Sequence, residues 1–481
     1  MLEQLNHVFY STAAIAAEIC SVCGIVLLVL LIAFGKKNKA YRAASWGLTF
    51  LTIIICFLFV YQAPADSFNL FNGLFQISPV SNFGKELILI TTLGVLLHIR
   101  VMKYDLESEY FIILLAIITG LLFLLMANHF VSIFIALETV SICSYLLVAM
   151  SGKTPNLEAG IKYLIFGAAS TAIMLFGMSL FFGATGSLNF SSELFQNNIS
   201  QNQDWIILTA LGLVLAGPLF KLSAAPFHIW APDVYEATPT PFVSFLAVVP
   251  KIAAIFLIKR LLESIPIDTT TFLSIVVLLS IFIGNFAAIS QENAKRMMGY
   301  SGIAQAGFIL IGLLAFQLSG FQASVFYLAI YIFMSLGAFL LLDIISKQTN
   351  SYRFVDMAGL SQKFVSFGVI GLIFMIGLVG LPPASGFTAK FLVFSSLYEQ
   401  YSFSGQKILL GVLVFGLINT AVSIYYYLKI PYFMFMKKPQ INLETQRIPV
   451  VQLVYLSLLA VIVLALFFAP QLVQERMEGL F

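Results

Sequence analysis

Four ionisable side chains lie deep inside long apolar stretches of the sequence, where a charge is costly. They are Glu138, Lys221, Lys251 and Lys390. A charged side chain at the centre of a transmembrane helix costs about 2.5–3.5 kcal/mol, so four of them cost roughly 10–14 kcal/mol, comparable with the net stability of a domain. A buried lysine releases its proton readily and a nearby carboxylate restores its proton affinity, whereas arginine stays protonated. We therefore predict that these four residues relay protons across the middle of a membrane.

A structural ion pair between Glu138 and Lys221, which would lock two helices together, is the simpler alternative for those two residues. The other lysines have no matching acid at the same depth in the sequence. Lys162, about one turn inside an apolar stretch, and His228, just after Pro226, are predicted as further members of the relay. Their alternatives are a lysine that reaches the membrane surface and a hydrogen-bonded structural histidine.

Other polar residues receive weaker predictions. Glu18 and Asp343 lie inside apolar stretches without an evident partner, and His98 lies near the end of one, where we expect it at the membrane interface. Asp233 and Glu236 lie in a connection, where they either guide protons towards the relay or are simply solvated.

The composition requires that these residues be positioned by membrane helices. Of the 481 residues, 60% are hydrophobic and only 10% are charged. This composition excludes a soluble enzyme, and the nearly balanced charge argues against a nucleic-acid partner. Since a span needs about 20 apolar residues, the sequence predicts an all-α polytopic membrane protein with about fourteen transmembrane helices and the lipid bilayer as its surroundings.

Two of the predicted spans are interrupted. Span seven contains Pro218 and Pro226 on either side of Lys221, and span twelve contains Gly380 and a Pro-Pro pair before Lys390. Two broken helices five spans apart predict two inverted five-helix repeats. The predicted organisation is a three-helix segment (1–105), the first repeat (106–265), the inverted second repeat (266–436) and a final span (437–481).

The distribution of Lys and Arg predicts the orientation. With the N-terminus outside, most basic residues of the connections face the cytoplasm, while only a few, such as Lys85, Lys259 and Lys407, face outward. The four cysteines are scattered in apolar stretches and suggest neither disulfides nor a metal site, and no cofactor motif is present. We expect no redox centre in this chain.

The segments GPLFKLSAAPFHIWAPDVYEATPTP, YSGIAQAGFIL and GLPPASGFTAKF resemble the proton-translocating antiporter-like subunits of respiratory complex I, the bacterial type I NADH:quinone oxidoreductase. The resemblance covers essentially the whole chain and is closest to the subunit N (ND2-like) branch. It implies two inverted five-helix repeats with broken helices seven and twelve. The relay positions that it implies are Glu138, Lys221, Lys251, Lys390, Lys162 and His228. Gln305 departs from the family, which often has His there, so we expect a non-titrating amide that either packs between helices or holds water.

The same resemblance implies that NADH, FMN, iron-sulfur clusters and quinone bind to partner subunits, that the other membrane subunits of complex I are the partners, and that the protein resides in the bacterial cytoplasmic (inner) membrane. Two alternatives stay open at this stage. One is a subunit of a multisubunit sodium/proton antiporter driven by an ion gradient, and the other is a purely structural scaffold.

Overall fold

The computed structural model describes residues 11–12, 14–35, 39–63, 66–315, 319–438 and 447–480. The N-terminal residues that were predicted to lie outside the membrane, and residues 439–446 of the predicted final segment, fall outside this set.

The described residues form a nearly all-helical structure, because consecutive apolar residues in lipid must satisfy their backbone groups within a helix. The helices are α1 (Ala16–Phe34), α2 (Lys39–Tyr61), α3 (Pro79–Val101), α4 (Ser108–Met126), α5 (Phe130–Ala149), α6 (Thr154–Thr185), α7 (Glu193–Ile199), α8 (Asp204–Val214), α9 (Ala216–Leu222), α10 (Trp230–Ala237), α11 (Thr240–Ser264), α12 (Thr270–Ile289), α13 (Ala294–Ile311), α14 (Gly320–Thr349), α15 (Leu360–Lys363), α16 (Val365–Val379), α17 (Ser385–Ser404), α18 (Lys407–Met436), α19 (Val450–Phe468) and α20 (Gln471–Glu478). Short 3-10 turns cover Phe71–Gly73, Gly312–Ala315 and Phe354–Met357.

Thirteen helices in the described part of the chain are long and apolar enough to cross a membrane, with α8 and α9 counted together as one of them. The thirteen do not include predicted span twelve, which is divided into two helices, α16 and α17. Together with it they make up the fourteen predicted spans. The chain is therefore a multi-pass membrane protein, as the sequence predicts. The inverted relation of the two repeats and the boundaries at 105, 265 and 436 stay predictions.

The connection between α2 and α3 contains a small β-hairpin. Strands β1 (Phe68–Leu70) and β2 (Phe75–Ile77) pair antiparallel, with Phe68 opposite Ile77. The buried side chains of Leu70 and Ile77 pack against Met126 at the end of α4. The hairpin is thereby fixed to a membrane helix instead of forming a free loop.

The chain forms two compact units. The first comprises residues Met1–Leu96, Tyr104–Lys221 and Ile252–Thr269, and the second comprises Leu97–Lys103, Leu222–Lys251 and Thr270–Phe481. In the first unit α5 packs against α4 and α6, and α6 packs against α8. In the second unit α13 packs against α12 and α10, α14 packs against α17, and α16 packs against α18. Each unit contains buried lysines, which are described in turn.

Candidate functional site

Lys221 lies in the last turn of α9, between two interruptions of span seven. The helix α8 ends at Val214, α9 begins at Ala216, and Ser223 follows with a left-handed φ of 60°. Pro218 is in the first turn of α9, where its missing N–H removes no helical hydrogen bond. Span seven is therefore interrupted on both sides of Lys221, as the sequence predicts, but the first interruption lies at Leu215 and precedes Pro218.

The Lys221 ammonium is held by aromatic rings. The residue is only 2% exposed, and Nζ lies 5.5 Å from the ring centroids of both Tyr145 and Tyr163 and 5.4 Å from that of Phe220. Among the described residues Nζ has no hydrogen-bond partner. Cation–π contacts stabilise a charge without fixing its protons by hydrogen bonds, so Lys221 can lose a proton without breaking one.

Glu138 lies on α5 in the same unit and is half-buried. Its Oε1 accepts a hydrogen bond of 2.5 Å from the Thr171 hydroxyl of α6. Glu138 interacts electrostatically with Lys221, but within the described part of the chain no direct ion pair joins them. The simpler alternative, a helix-locking salt bridge between these two residues, is therefore not what the geometry shows.

Lys251 lies in the middle of α11 in the second unit and is fully buried. Its Nζ donates a hydrogen bond to the carbonyl of Gly302 on α13 and lies 5.9 Å from the Tyr331 ring centroid. Every residue in the most apolar stretch of α11 is buried. Lys251 is therefore held inside the protein and does not face lipid.

Lys390 lies near the start of α17, just beyond the interruption of span twelve. Gly380 ends α16 with a φ of 89°, a conformation that favours glycine. Lys390 is 4% exposed, and its Nζ donates a hydrogen bond of 2.7 Å to the carbonyl of Val379 and lies 4.2 Å from the Phe308 ring centroid. The ammonium therefore satisfies one of the free carbonyls at the negative end of the α16 dipole.

Gln305, on α13 of the same unit, holds the neighbouring carbonyl. Its Nε2 donates to the carbonyl of Leu378 at 2.8 Å and to the Tyr427 hydroxyl at 2.9 Å. Its Oε1 accepts from the Tyr327 hydroxyl at 2.5 Å. Both amide hydrogens are thus used by the protein. Of the two uses expected for Gln305, these bonds fit helix packing, and they fix the interrupted end of α16.

The two less central candidates occupy different surroundings. Lys162 forms an ion pair of 2.8 Å with Glu158 one turn earlier on α6, and the side chains are 41% and 65% exposed. His228 is half-buried in the connection before α10. Lys162 is thus at the surface of the described chain, which fits the alternative of a lysine that reaches the membrane boundary. The relay roles of both residues stay predictions.

Sequence reasoning missed one buried ion pair and one buried histidine–carboxylate contact. Glu18 on α1 pairs with Lys85 on α3 at 2.7 Å, and His98 Nε2 lies 2.9 Å from Asp343 Oδ2. All four side chains are at most 3% exposed. The sequence showed no evident partner for Glu18 or Asp343, and the structure supplies one for each. Lys85, counted with the outer connections from the sequence, lies inside α3, and His98 lies in the last turn of the same helix. The available signal was an unmatched acid and an unmatched base in different apolar stretches.

No cluster of three or more His, Cys, Asp or Glu that could hold a metal ion occurs in the part of the chain that the structure describes. The geometry instead provides buried, individually held ammonium groups in both units.

Comparison with known proteins identifies the family. The family model described as "NADH:quinone oxidoreductase/Mrp antiporter, TM" matches residues 127–416. "NADH-quinone oxidoreductase subunit N 2" of Chloroherpeton thalassium is 33% identical over 446 residues, which cover 88% of this chain and 85% of that protein. The chain belongs to the NADH-quinone oxidoreductase subunit N family.

Two further relatives agree with this assignment to the subunit N family. "NAD(P)H-quinone oxidoreductase subunit 2, chloroplastic" of Mesostigma viride is 36% identical over 441 residues, or 89% of this chain and 86% of that protein. A chain in a solved structure of respiratory complex I from Thermus thermophilus with bound aureothin has a TM-score of 0.80 and 30% identity, and the match covers 95% of this chain and 98% of that chain. The resemblance on which the sequence interpretation rested is confirmed.

Proposed function

We propose that this chain is a membrane-arm subunit of a proton-pumping NADH:quinone oxidoreductase and that it carries protons across the membrane through Glu138, Lys221, Lys251 and Lys390. Quinone reduction elsewhere in the complex supplies the energy. The chain itself moves protons between side chains and holds no electron carrier.

The observation that carries the proposal is the way in which the three lysines are buried. Lys221, Lys251 and Lys390 are each at most 4% exposed. A permanent charge at such a position is unfavourable, so an ammonium there exchanges its proton when a nearby charge changes. In the part of the chain that the structure describes, each ammonium contacts aromatic rings, with one carbonyl in addition at Lys251 and Lys390, and none forms an ion pair with a carboxylate. Such contacts allow the ammonium to lose a proton without breaking an ion pair.

The partners of the chain and its membrane location are inferred from the same family. We propose that the partners are the other membrane subunits of the complex, that NADH, FMN, iron-sulfur clusters and quinone bind to partner chains, and that the protein lies in the bacterial cytoplasmic membrane with its N-terminus outside. The excess of Lys and Arg in alternate connections supports this orientation. Lys162 and His228 are proposed as secondary members of the proton route.

The test is purification of the chain with its associated subunits, followed by measurement of NADH:quinone activity and of proton pumping into vesicles. Lys221→Ala should lower pumping by about 100-fold, because a positioned proton-transfer group contributes about 10²–10⁴ to a rate. Lys259→Ala is the matched control, since Lys259 is another lysine of a membrane helix that pairs with Glu263 at 2.6 Å near the end of α11. Native pumping by Lys221→Ala would overturn the relay.

The same preparation separates the antiporter alternative. A complex that contains no NADH:quinone activity but exchanges sodium for protons under an imposed gradient would replace the redox-driven function while leaving the lysines in place.

A further inference from the structure

The second unit contains a buried cluster of ionisable residues that the relay does not include. Its members are His98 on α3, Asp343 on α14 and Lys295 on α13, each at most 2% exposed. His98 Nε2 lies 2.9 Å from Asp343 Oδ2, and Asp343 interacts electrostatically with Lys295. Tyr352, whose hydroxyl is hydrogen-bonded to the Thr240 hydroxyl at 2.8 Å, also interacts with Asp343.

Lys295 is held as the relay lysines are held. Its Nζ donates a hydrogen bond of 2.5 Å to the carbonyl of Thr238 and lies 4.8 Å from the Tyr352 ring centroid. One carbonyl and one ring also hold Lys390. The difference is that Lys295 also interacts electrostatically with two acids, Asp343 and Glu236.

A surface ion-pair cluster lies next to Lys295 in the chain. Arg296 pairs with Asp233 at 2.5 Å and with Glu236 at 3.0 Å, and these side chains are 26–39% exposed. The cluster therefore reaches the protein surface, while the adjacent Lys295 is buried. Carboxylates at such a boundary raise the local proton concentration at the protein surface near Lys295.

Lys251, on α11, contacts α13 at a point further along that helix than Lys295. It donates to Gly302, which is seven residues after Lys295 on α13 and so about 10 Å further along the helix axis. A Cβ added at Gly302 would lie 3.5 Å from Lys251 Nζ and 3.7 Å from the Tyr235 hydroxyl oxygen. Tyr235, on α10, comes directly before Glu236 in the sequence. The Tyr235 hydroxyl and Lys251 Nζ thus both border the same small space at Gly302, and Tyr235 belongs to the element that also carries the surface acids.

We propose that Lys295, with Asp343 and His98, is a proton-loading site between the Arg296–Asp233–Glu236 surface and Lys251. The neutral Lys295 amine takes up a proton from a hydronium ion on that side of the membrane, so that one O–H bond breaks, one N–H bond forms and water is left behind. Its ammonium then gives one proton, through water and the Tyr235 hydroxyl, to the neutral amine of Lys251. One N–H bond breaks at Lys295 and one forms at Lys251, and no electron moves. The Asp343 carboxyl group, which lies 2.9 Å from His98 Nε2, interacts electrostatically with the loaded Lys295. This inference rests on the proposed function.

The test uses the assembled complex with Lys295→Arg. Arginine keeps the charge and the capacity to donate to the Thr238 carbonyl but does not release a proton. A purely structural lysine would therefore tolerate the change. We expect Lys295→Arg to assemble and to lower proton pumping by about 100-fold. The matched control is Lys429→Arg, since Lys429 is likewise held by one carbonyl (Gln291, 2.7 Å) and one ring (Phe354, 4.6 Å) but is only half-buried.

Native pumping by Lys295→Arg would overturn the loading site. If Lys295→Arg does not assemble, Tyr235→Phe and Asp343→Asn decide: native pumping by both overturns the proposal, and a loss in either with normal assembly supports it. Failure of the proposed function would be recognised by a different result, namely normal pumping by Lys221→Ala. Loss of pumping in Lys221→Ala together with native pumping in Lys295→Arg refutes only the loading site.

Discussion

Replacing either Lys221 or Lys390 by Met should strongly lower proton pumping, but the two substitutions should affect the local stability of the protein differently. Both substitutions remove a buried ammonium whose burial costs about 2.5–3.5 kcal/mol on insertion scales. Lys221 has three ring contacts at 5.4–5.5 Å and no hydrogen bond in the described structure, whereas Lys390 has one ring contact at 4.2 Å and a hydrogen bond of 2.7 Å to Val379. Lys390 therefore has one stabilising contact that Lys221 lacks, a hydrogen bond from its ammonium group to a carbonyl.

Hydrogen bonds to charged groups contribute about 1.5–3 kcal/mol. If the ring contacts of the two lysines roughly balance, Lys390→Met should be less stable than Lys221→Met by about this amount. A difference of about 1.5–3 kcal/mol corresponds to about 10- to 150-fold in a local opening equilibrium. The effect should be confined to the end of α16, where the Val379 carbonyl loses its donor.

Hydrogen–deuterium exchange of the assembled complex measures this. Amides of residues 376–386 should exchange about 10- to 150-fold faster in Lys390→Met than in native protein, while residues 215–223 should exchange at a native or slower rate in Lys221→Met. Equal acceleration in both variants, or a greater one around Lys221, would refute the argument that the two lysines are held by different contacts.

Two further predictions concern Gln305 and His129. Gln305→Leu should accelerate exchange around Leu378, because a buried carbonyl left without its donor costs about 1–3 kcal/mol, whereas Tyr327→Phe, which removes only the bond to Oε1, should leave that carbonyl protected; equal exchange in the two variants would contradict the proposed fixing of α16. His129 Nδ1 accepts a hydrogen bond from the Val131 N–H at 3.1 Å and so caps the start of α5. Burial lowers the pKa of His129. The cap is therefore present above the unfolded pKa of about 6.5 and is lost as pH falls through the lower folded pKa. Amides in the first turn of α5, corrected for intrinsic exchange, should therefore lose protection on acidification, and His129→Asn, which caps without titrating, should remove that dependence; an unchanged pH dependence in His129→Asn would contradict it.

Much of the fold follows from the sequence, because the solvent of the spans is lipid. Runs such as 240–264 have no alternative to a helix, and the interruptions around Lys221 and Lys390 are visible as Pro and Gly. The hairpin at 68–77 was not predicted, since its three-residue strands are too short for a periodic pattern.

The buried charges could be located but their partners could not. The sequence shows Lys251 inside an apolar run, yet the carbonyl that binds it belongs to Gly302, 51 residues away. Likewise His98 and Asp343 are 245 residues apart. Pairing of this kind depends on helix packing, which hydropathy does not encode, and a backbone carbonyl leaves no signal in the side-chain sequence.

The ratio of protons moved to electrons transferred, measured side by side in vesicles containing the native complex and Lys221→Ala, tests the proton relay most directly. The relay predicts that the variant retains its assembled subunits and moves far fewer protons through this chain, so that the ratio or the coupled turnover falls while Lys259→Ala stays native. An unchanged ratio at native turnover in Lys221→Ala would contradict it.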